Sequence, residues 1–224
     1  MTRPGAALPT ADLVHAIDHA RDAMEACRGA RLLVTGASGF VGSWLLESAL
    51  HVSRALSLDL RVTALVRDRA RFAASLPHLA TAPTLTLVEG DIRTCELPMR
   101  DITHIVHCAS ASSPAMVAER PDEVVDIIER GTTHMLELAR QSAGVRFLQM
   151  SSGSVYGPQP GGVGSLAERF DGTADHRDPR QRFGAAKRRA EQAGEAAVAQ
   201  GVAFVSARAF ALVGPRLPLD AAFA

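Results

Sequence analysis

Three glycines spaced three apart sit between a branched apolar run and an amphipathic one, and this pattern narrows the fold more than any other stretch of the chain. The run Arg31-Leu-Leu-Val-Thr35 reads as a buried parallel strand. Gly36, Gly39 and Gly42 follow, and then Val41, Trp44, Leu45, Ala49 and Val52 recur at spacings of three and four, which marks one face of a helix. Strand, glycine turn and helix in that order have a physical meaning. The first glycine allows the tight turn, the second lets backbone approach a pyrophosphate, and the third lets the helix lie close against the strand. The helix N-terminus then presents unpaired N–H groups and the positive end of its dipole to phosphate. A glycine turn used only for packing is the plainer alternative, and the strand–turn–helix context weighs against it.

The rest of the chain alternates in the same sense. Further strands are expected at 61–66, 84–88, 102–107, 145–150 and 202–207, with helices near 68–75, 122–142 and 182–200. Such alternation predicts an α/β fold of Rossmann type, a doubly wound parallel sheet with helices on both faces. Residues 11–28 form an expected helix ahead of the first strand, with Leu13, Ile17, Ala20 and Met24 on one face and Gly29 as a stop. The stretch 157–180 is rich in Gly, Pro and Asp without periodicity and reads as a long surface loop of functional length. The expected organisation is a helical extension over 1–29, a dinucleotide-binding domain over 30–216, and over 217–224 the start of a truncated substrate-binding portion.

Bulk composition excludes several classes. The 224 residues are 47% hydrophobic and 21% charged, enough to bury a core. Lys+Arg 24 balance Asp+Glu 24, so no net charge draws the chain to nucleic acid or to an anionic membrane. Apolar runs are strand-sized, and Met1 to Pro9 lack a signal-peptide core. Cys27, Cys95 and Cys108 are odd in number and lack metal-ligand spacing, so no metal site is expected and the reading is of reduced thiols in a cytoplasmic protein.

Cofactor choice turns on the end of the second strand, where Leu65-Val66-Arg67-Asp68 stands. Arg67 suits a 2′-phosphate and so NADP, whereas Asp68 suits ribose hydroxyls one position late and so NAD; both can also be solvated loop charges. Glu89-Gly90-Asp91-Ile92 follows the third strand, where a carboxylate can meet the adenine amino group.

An ordered series of motifs carries a family resemblance over roughly residues 30 to 220. It comprises Thr35-Gly36-Ala37-Ser38-Gly39-Phe40-Val41-Gly42, Gly90-Asp91-Ile92, Val106-His107-Cys108-Ala109-Ser110, Ser151-Ser152-Gly153-Ser154-Val155-Tyr156-Gly157, Phe183-Gly184-Ala185-Ala186-Lys187, and Ala207-Arg208 through Gly214-Pro215. In this the chain resembles the extended short-chain dehydrogenases/reductases of the NAD-dependent epimerase/dehydratase group, which act on nucleotide sugars. The resemblance implies NAD as cofactor and a nucleotide sugar as substrate. Cofactor contacts are implied at Gly36, Ser38, Gly39, Phe40, Val41, Gly42, Arg67, Asp91, Ile92, Ala109, Ser110, Ala111 and Lys187. A homodimer through the helices near 122–142 and 182–200 is implied as well.

The implied chemistry runs through a serine, a tyrosine and a lysine. The tyrosine takes the sugar hydroxyl proton as hydride leaves; the lysine binds the nicotinamide ribose and lowers the tyrosine pKa; the serine holds the reacting oxygen. Ser152 and Lys187 match the serine and the lysine. The tyrosine position, one helical turn before Lys187, is Phe183, which has no proton to exchange. Three readings follow: a Tyr→Phe change in a working enzyme, a natural variant with another base, or a protein that keeps the cofactor site without catalysis. Tyr156, the only tyrosine, stands at a strand end that suits a structural role, and His176 reads as a solvated loop histidine. Glu168 matches an acidic residue of the substrate-side loop. Ile128 and Ala211 stand where the family often carries asparagine.

Overall fold

The computed structural model describes residues 5–97, 101–111 and 113–218. Six parallel strands form one sheet in the order β3-β2-β1-β4-β5-β6: β1 (Arg31–Thr35), β2 (Arg61–Val66), β3 (Leu85–Glu89), β4 (His104–His107), β5 (Arg146–Ser152) and β6 (Ala203–Ala209). This is the doubly wound order, which reverses direction between β1 and β4 and opens a crevice at their carboxyl ends. The longer helices are α1 (Thr10–Glu25), α2 (Phe40–Ala55), α6 (Pro121–Arg140) and α7 (Arg182–Val198); α3 (Arg69–Ser75), α4 (Pro77–Ala80) and α5 (Pro114–Glu119) are short.

Strand alternation divides the core in two. Leu33 of β1, Ile105 of β4 and Phe147 of β5 point to the face covered by α6 and α7, where they join Ile128, Met135, Leu136, Ala186 and Ala190. Val34 points the other way, with Val62 and Ala64 of β2, to a second cluster completed by Leu46 and Leu50 of α2 and Ile17 of α1. The expected helix over 11–28 is therefore real and buries Leu13 and Ile17 of its apolar stripe, although it ends at Glu25, three residues early.

β1 and β2 lie at their expected bounds, and the other strands have ends shifted by one or two residues: β4 begins two residues late, at His104, and β5 and β6 each run two residues further than expected. Three short pieces had no sequence signal. These are α4, α5 and a single 3₁₀ turn at Gly153–Tyr156, each of six residues or fewer and so below the length at which apolar periodicity registers. Residues 157–180 contain no helix or strand, as expected for the long loop. No helix among the described residues is long and apolar enough to cross a membrane.

Candidate functional site

The crevice is built from the glycine turn on one side and the end of β4 on the other. Gly36 takes φ +65°, and a Cβ there would lie 2.7 Å from the backbone of Cys108 and Ala109. Only glycine lets β1 turn this sharply so close to β4. A Cβ on Gly42 would overlap the Gly36 carbonyl oxygen, so the third glycine is what brings α2 against the turn. The turn closes through Gly39 N–H to Gly36 O at 2.9 Å. Gly39 caps α2 without a side chain, and no acidic residue lies in the first helical turn, so the first amides of a 16-residue helix keep their donors for an incoming anion. Ser38 and Gly39 are exposed there, with Phe40 and Val41 half-buried behind them.

Across the crevice, Ala109, Ser110 and Ala111 leave β4. The Ser110 hydroxyl is buried without a hydrogen-bond partner among the described residues, a group that a bound molecule can satisfy. Gly36, the uncapped amides of α2 and this hydroxyl fit a dinucleotide.

Lys187 brings α7 to the same place. Its ammonium donates to the Met150 carbonyl at 2.9 Å, and the side chain is only 4% exposed. Burial lowers its pKa to about 8, against the opposing pull of Cys108 and Glu191. The coupling runs both ways. Burial pushes the Cys108 thiol up to about 12 while Lys187 pulls it down, and Lys187 adds to the depression of His107. Since His107 pairs with Gln149, the Met150 carbonyl that holds the lysine lies beside the carboxyl end of β4. Phe183 stands one turn earlier, with its ring centroid 5.9 Å from the Lys187 Nζ. Ser152 ends β5; its Oγ donates to Ser154 Oγ and accepts from Ser154 N–H, both at 3.1 Å, which starts the 3₁₀ turn.

The two charges at the end of β2 separate. Asp68 caps α3 by accepting from Arg71 N–H at 2.8 Å, so this carboxylate already has work in the fold. Arg67 is exposed, and its charge reaches Asp91. Asp91 is held by Arg93, whose Nε lies 2.8 Å and whose backbone N–H lies 2.9 Å from Oδ1, while Nη2 reaches Oδ2. The Arg93 bonds outweigh burial and bring the Asp91 pKa down to about 2. The carboxylate is fixed in orientation and keeps lone pairs for another donor. Ile92 is buried behind it against Gly131 of α6.

Tyr156 is a structural ring. It stacks between Phe170 and Phe210, at 6.3 and 6.2 Å between centroids, under the Arg208 guanidinium at 4.8 Å. His176 is exposed 3.8 Å from Asp175. Glu168 is exposed, and its backbone carbonyl, not its carboxylate, engages Arg208. Four residues whose placement gives the site its shape had no distinct sequence signal: Arg93, His107, Glu191 and the hydroxyl of Thr35. Arg93 folds back on Asp91 two residues before it, Glu191 meets Arg208 from 17 residues away, and the sheet register sets Thr35 beside His107.

The pattern of the NAD dependent epimerase/dehydratase family matches residues 32–222. The chain belongs to this family. As an epimerase/dehydratase-family chain it is 30% identical to UDP-glucuronic acid decarboxylase 1 of Arabidopsis thaliana over 197 residues, which is 85% of this chain and 41% of that protein. It spans well under two thirds of the curated relatives it matches. Among solved structures, UDP-glucuronic acid 4-epimerase from Bacillus cereus in complex with NAD shares the fold, with a TM-score of 0.68 and 22% identity over 85% of this chain and 60% of that one. A double mutant of dTDP-glucose 4,6-dehydratase from Streptomyces venezuelae with NAD bound gives a TM-score of 0.65 and 26% identity over 80% and 55%.

Proposed function

We propose that residues 30–216 hold NAD across the crevice between β1 and β4, within an enzyme that epimerises or dehydrates a nucleotide sugar. The observation that carries this reading is Lys187, held by the Met150 carbonyl at the same strand ends that the uncapped glycine turn faces. When bound, NAD supplies a hydride acceptor. The amides of Phe40 to Gly42 would hold its phosphates, Lys187 its nicotinamide ribose, and Ser152 would hydrogen-bond the oxygen of the reacting sugar carbon. Two related proteins of known structure carry NAD, in line with this choice. Three free thiols fit a reducing compartment such as the cytoplasm, and α6 and α7 form the surface for a homodimer in this reading.

Phe183 supports a second reading, a cofactor holder without turnover. Its ring fills the space of a phenol and takes no proton, so the hydroxyl proton of a sugar has no acceptor at that position. Calorimetry with NAD and NADP, followed by turnover assays on UDP- and dTDP-sugars, separates the two. The enzyme reading expects dinucleotide binding and sugar conversion that increases in Phe183→Tyr. Binding without conversion by either form leaves the holder; no binding of either dinucleotide defeats both.

A further inference from the structure

Thr35, His107 and Thr132 are three polar side chains in an apolar layer, none more than 1% exposed. Thr35 and His107 are direct neighbours in the β1–β4 register, and alternation turns both toward α6. They sit above Leu33 and Ile105, which begin the apolar floor of the same face. The Thr35 Oγ1 lies 2.8 Å from His107 Nδ1, and His107 Nε2 lies 3.3 Å from the Thr132 Oγ1 on α6. At the other end of this series the Ala109 N–H donates to Thr35 Oγ1 at 3.2 Å.

The protons can be placed. Ala109 already donates to the Thr35 oxygen, so the hydroxyl proton, buried and in need of an acceptor, goes to Nδ1. That leaves Nε2 carrying the ring proton and donating to Thr132. Complete burial, with Lys187 nearby, keeps the imidazole neutral.

The series ends where the glycine turn touches β4. Ala109, whose amide Thr35 accepts, is the residue that a Cβ on Gly36 would strike. We infer that His107 is a positioning residue for the dinucleotide. As a fixed neutral imidazole it ties β1, β4 and α6 together and thereby sets the gap between the phosphate turn and the 109–111 segment. This rests on the reading that NAD occupies that crevice.

The test uses the whole chain. Nitrogen NMR of ¹⁵N-histidine protein should show His107 with bare Nδ1 and protonated Nε2 at neutral pH. Thr35→Val keeps shape and removes the hydroxyl. It should cost the Ala109 amide its protection from hydrogen exchange and weaken NAD binding about tenfold, on the order of one hydrogen bond. Thr35→Ser should restore both, which lost packing alone would not do. Thr132→Val, away from the turn, should give a smaller loss in the same direction and serves if Thr35→Val fails to fold. A charged ring, a proton on Nδ1, or unchanged NAD affinity despite an unprotected Ala109 amide overturns the assignment. If the unmodified chain binds no NAD while the His107 tautomer and Ala109 protection are as described, the functional reading fails, and the positioning role with it.

Discussion

The Arg208 guanidinium closes on the fully buried Glu191 carboxylate from β6 to α7, with Nε 3.0 Å from Oε1 and Nη2 2.8 Å from Oε2. Ser206 donates to the same Oε1 at 2.9 Å, so both oxygens are occupied. The remaining arm of Arg208 donates to the Glu168 carbonyl, and its face covers Tyr156. One side chain thus fastens the long 157–180 loop to the helix that carries Lys187 one turn before Glu191.

Without Arg208 the carboxylate would keep Arg188, whose Nη1 lies 3.2 Å from Oε2, as its remaining cation. Arg208→Ala is expected to destabilise the fold by about 1.5–3 kcal/mol, the worth of hydrogen bonds to a charged group rather than of a wholly unpaired buried charge. Arg208→Met together with Glu191→Leu is expected to recover much of it, because the two charges leave together. Chemical denaturation of the two variants checks this; equal losses would show that the loop contacts, not the ion pair, carry the effect.

This pair also marks what the sequence could disclose. Strand and helix alternation reported the layers because each element buries one regular face, and Lys187 and Phe183 were legible because they lie one turn apart on a single helix. Glu191 and Arg208 are 17 residues apart on elements that meet only after β6 docks beside β5. His107 looked like one more strand residue until the register set it beside Thr35. Asp68 carried two readings in the sequence, and the start of α3 shows it serving as a cap.

Lys187 should make stability depend on alkaline pH. Its folded pKa of about 8 lies below the ordinary lysine value of 10.5, because burial disfavours the charged amine. Between these values the unfolded chain holds a proton that the folded chain has released, so unfolding becomes less favourable as pH rises. Relative to Lys187→Met, the protein is expected to gain stability from pH 8 to 10.5, by up to about 3 kcal/mol at 1.36 kcal/mol per unit. Urea titrations at successive pH values measure the difference. A flat difference across that window would mean that the amine is solvated.

Asp91 gives the opposite case at the acid end. Arg93 holds its folded pKa at about 2, below the ordinary aspartate value of 3.8. The Arg93 contact therefore contributes fully above pH 4 and is lost as pH falls through 2. Since the carboxylate is partly exposed, solvent screening keeps the contribution small, about 1 kcal/mol or less. Asp91→Asn should accordingly leave thermal stability near neutral pH almost unchanged. If adenine is read there, the same change should weaken NAD binding, as calorimetry would show.

The glycine turn offers a controlled comparison. Gly36→Ala puts a side chain at φ +65°, at about 1–2 kcal/mol for the left-handed backbone, and adds overlap with Cys108 and Ala109. Loss of NAD binding together with a lower melting temperature is expected. Gly161→Ala, in the long loop, meets nothing within 4 Å and should stay within about 0.5 kcal/mol. Intact NAD binding in Gly36→Ala would mean that the turn does not approach the dinucleotide.

The last expectation concerns the missing phenol. Because the chain has one tyrosine, Phe183→Tyr adds a second whose ionisation is separable by ultraviolet titration against Tyr156. The new hydroxyl would lie on a ring whose present centre is 5.9 Å from the Lys187 Nζ. Because Lys187 itself titrates near 8, the pair would share one proton between that pH and about 10, and the charged form of the lysine favours its loss from the phenol, so phenolate should appear below the ordinary phenol value of about 10. In Phe183→Tyr with Lys187→Met that depression should vanish, whereas a general effect of burial would raise the pKa in both. An added phenol with an ordinary or raised pKa would mean that Lys187 is not placed to activate a base at position 183. The serine–aromatic–lysine set would then be a relic of shape alone.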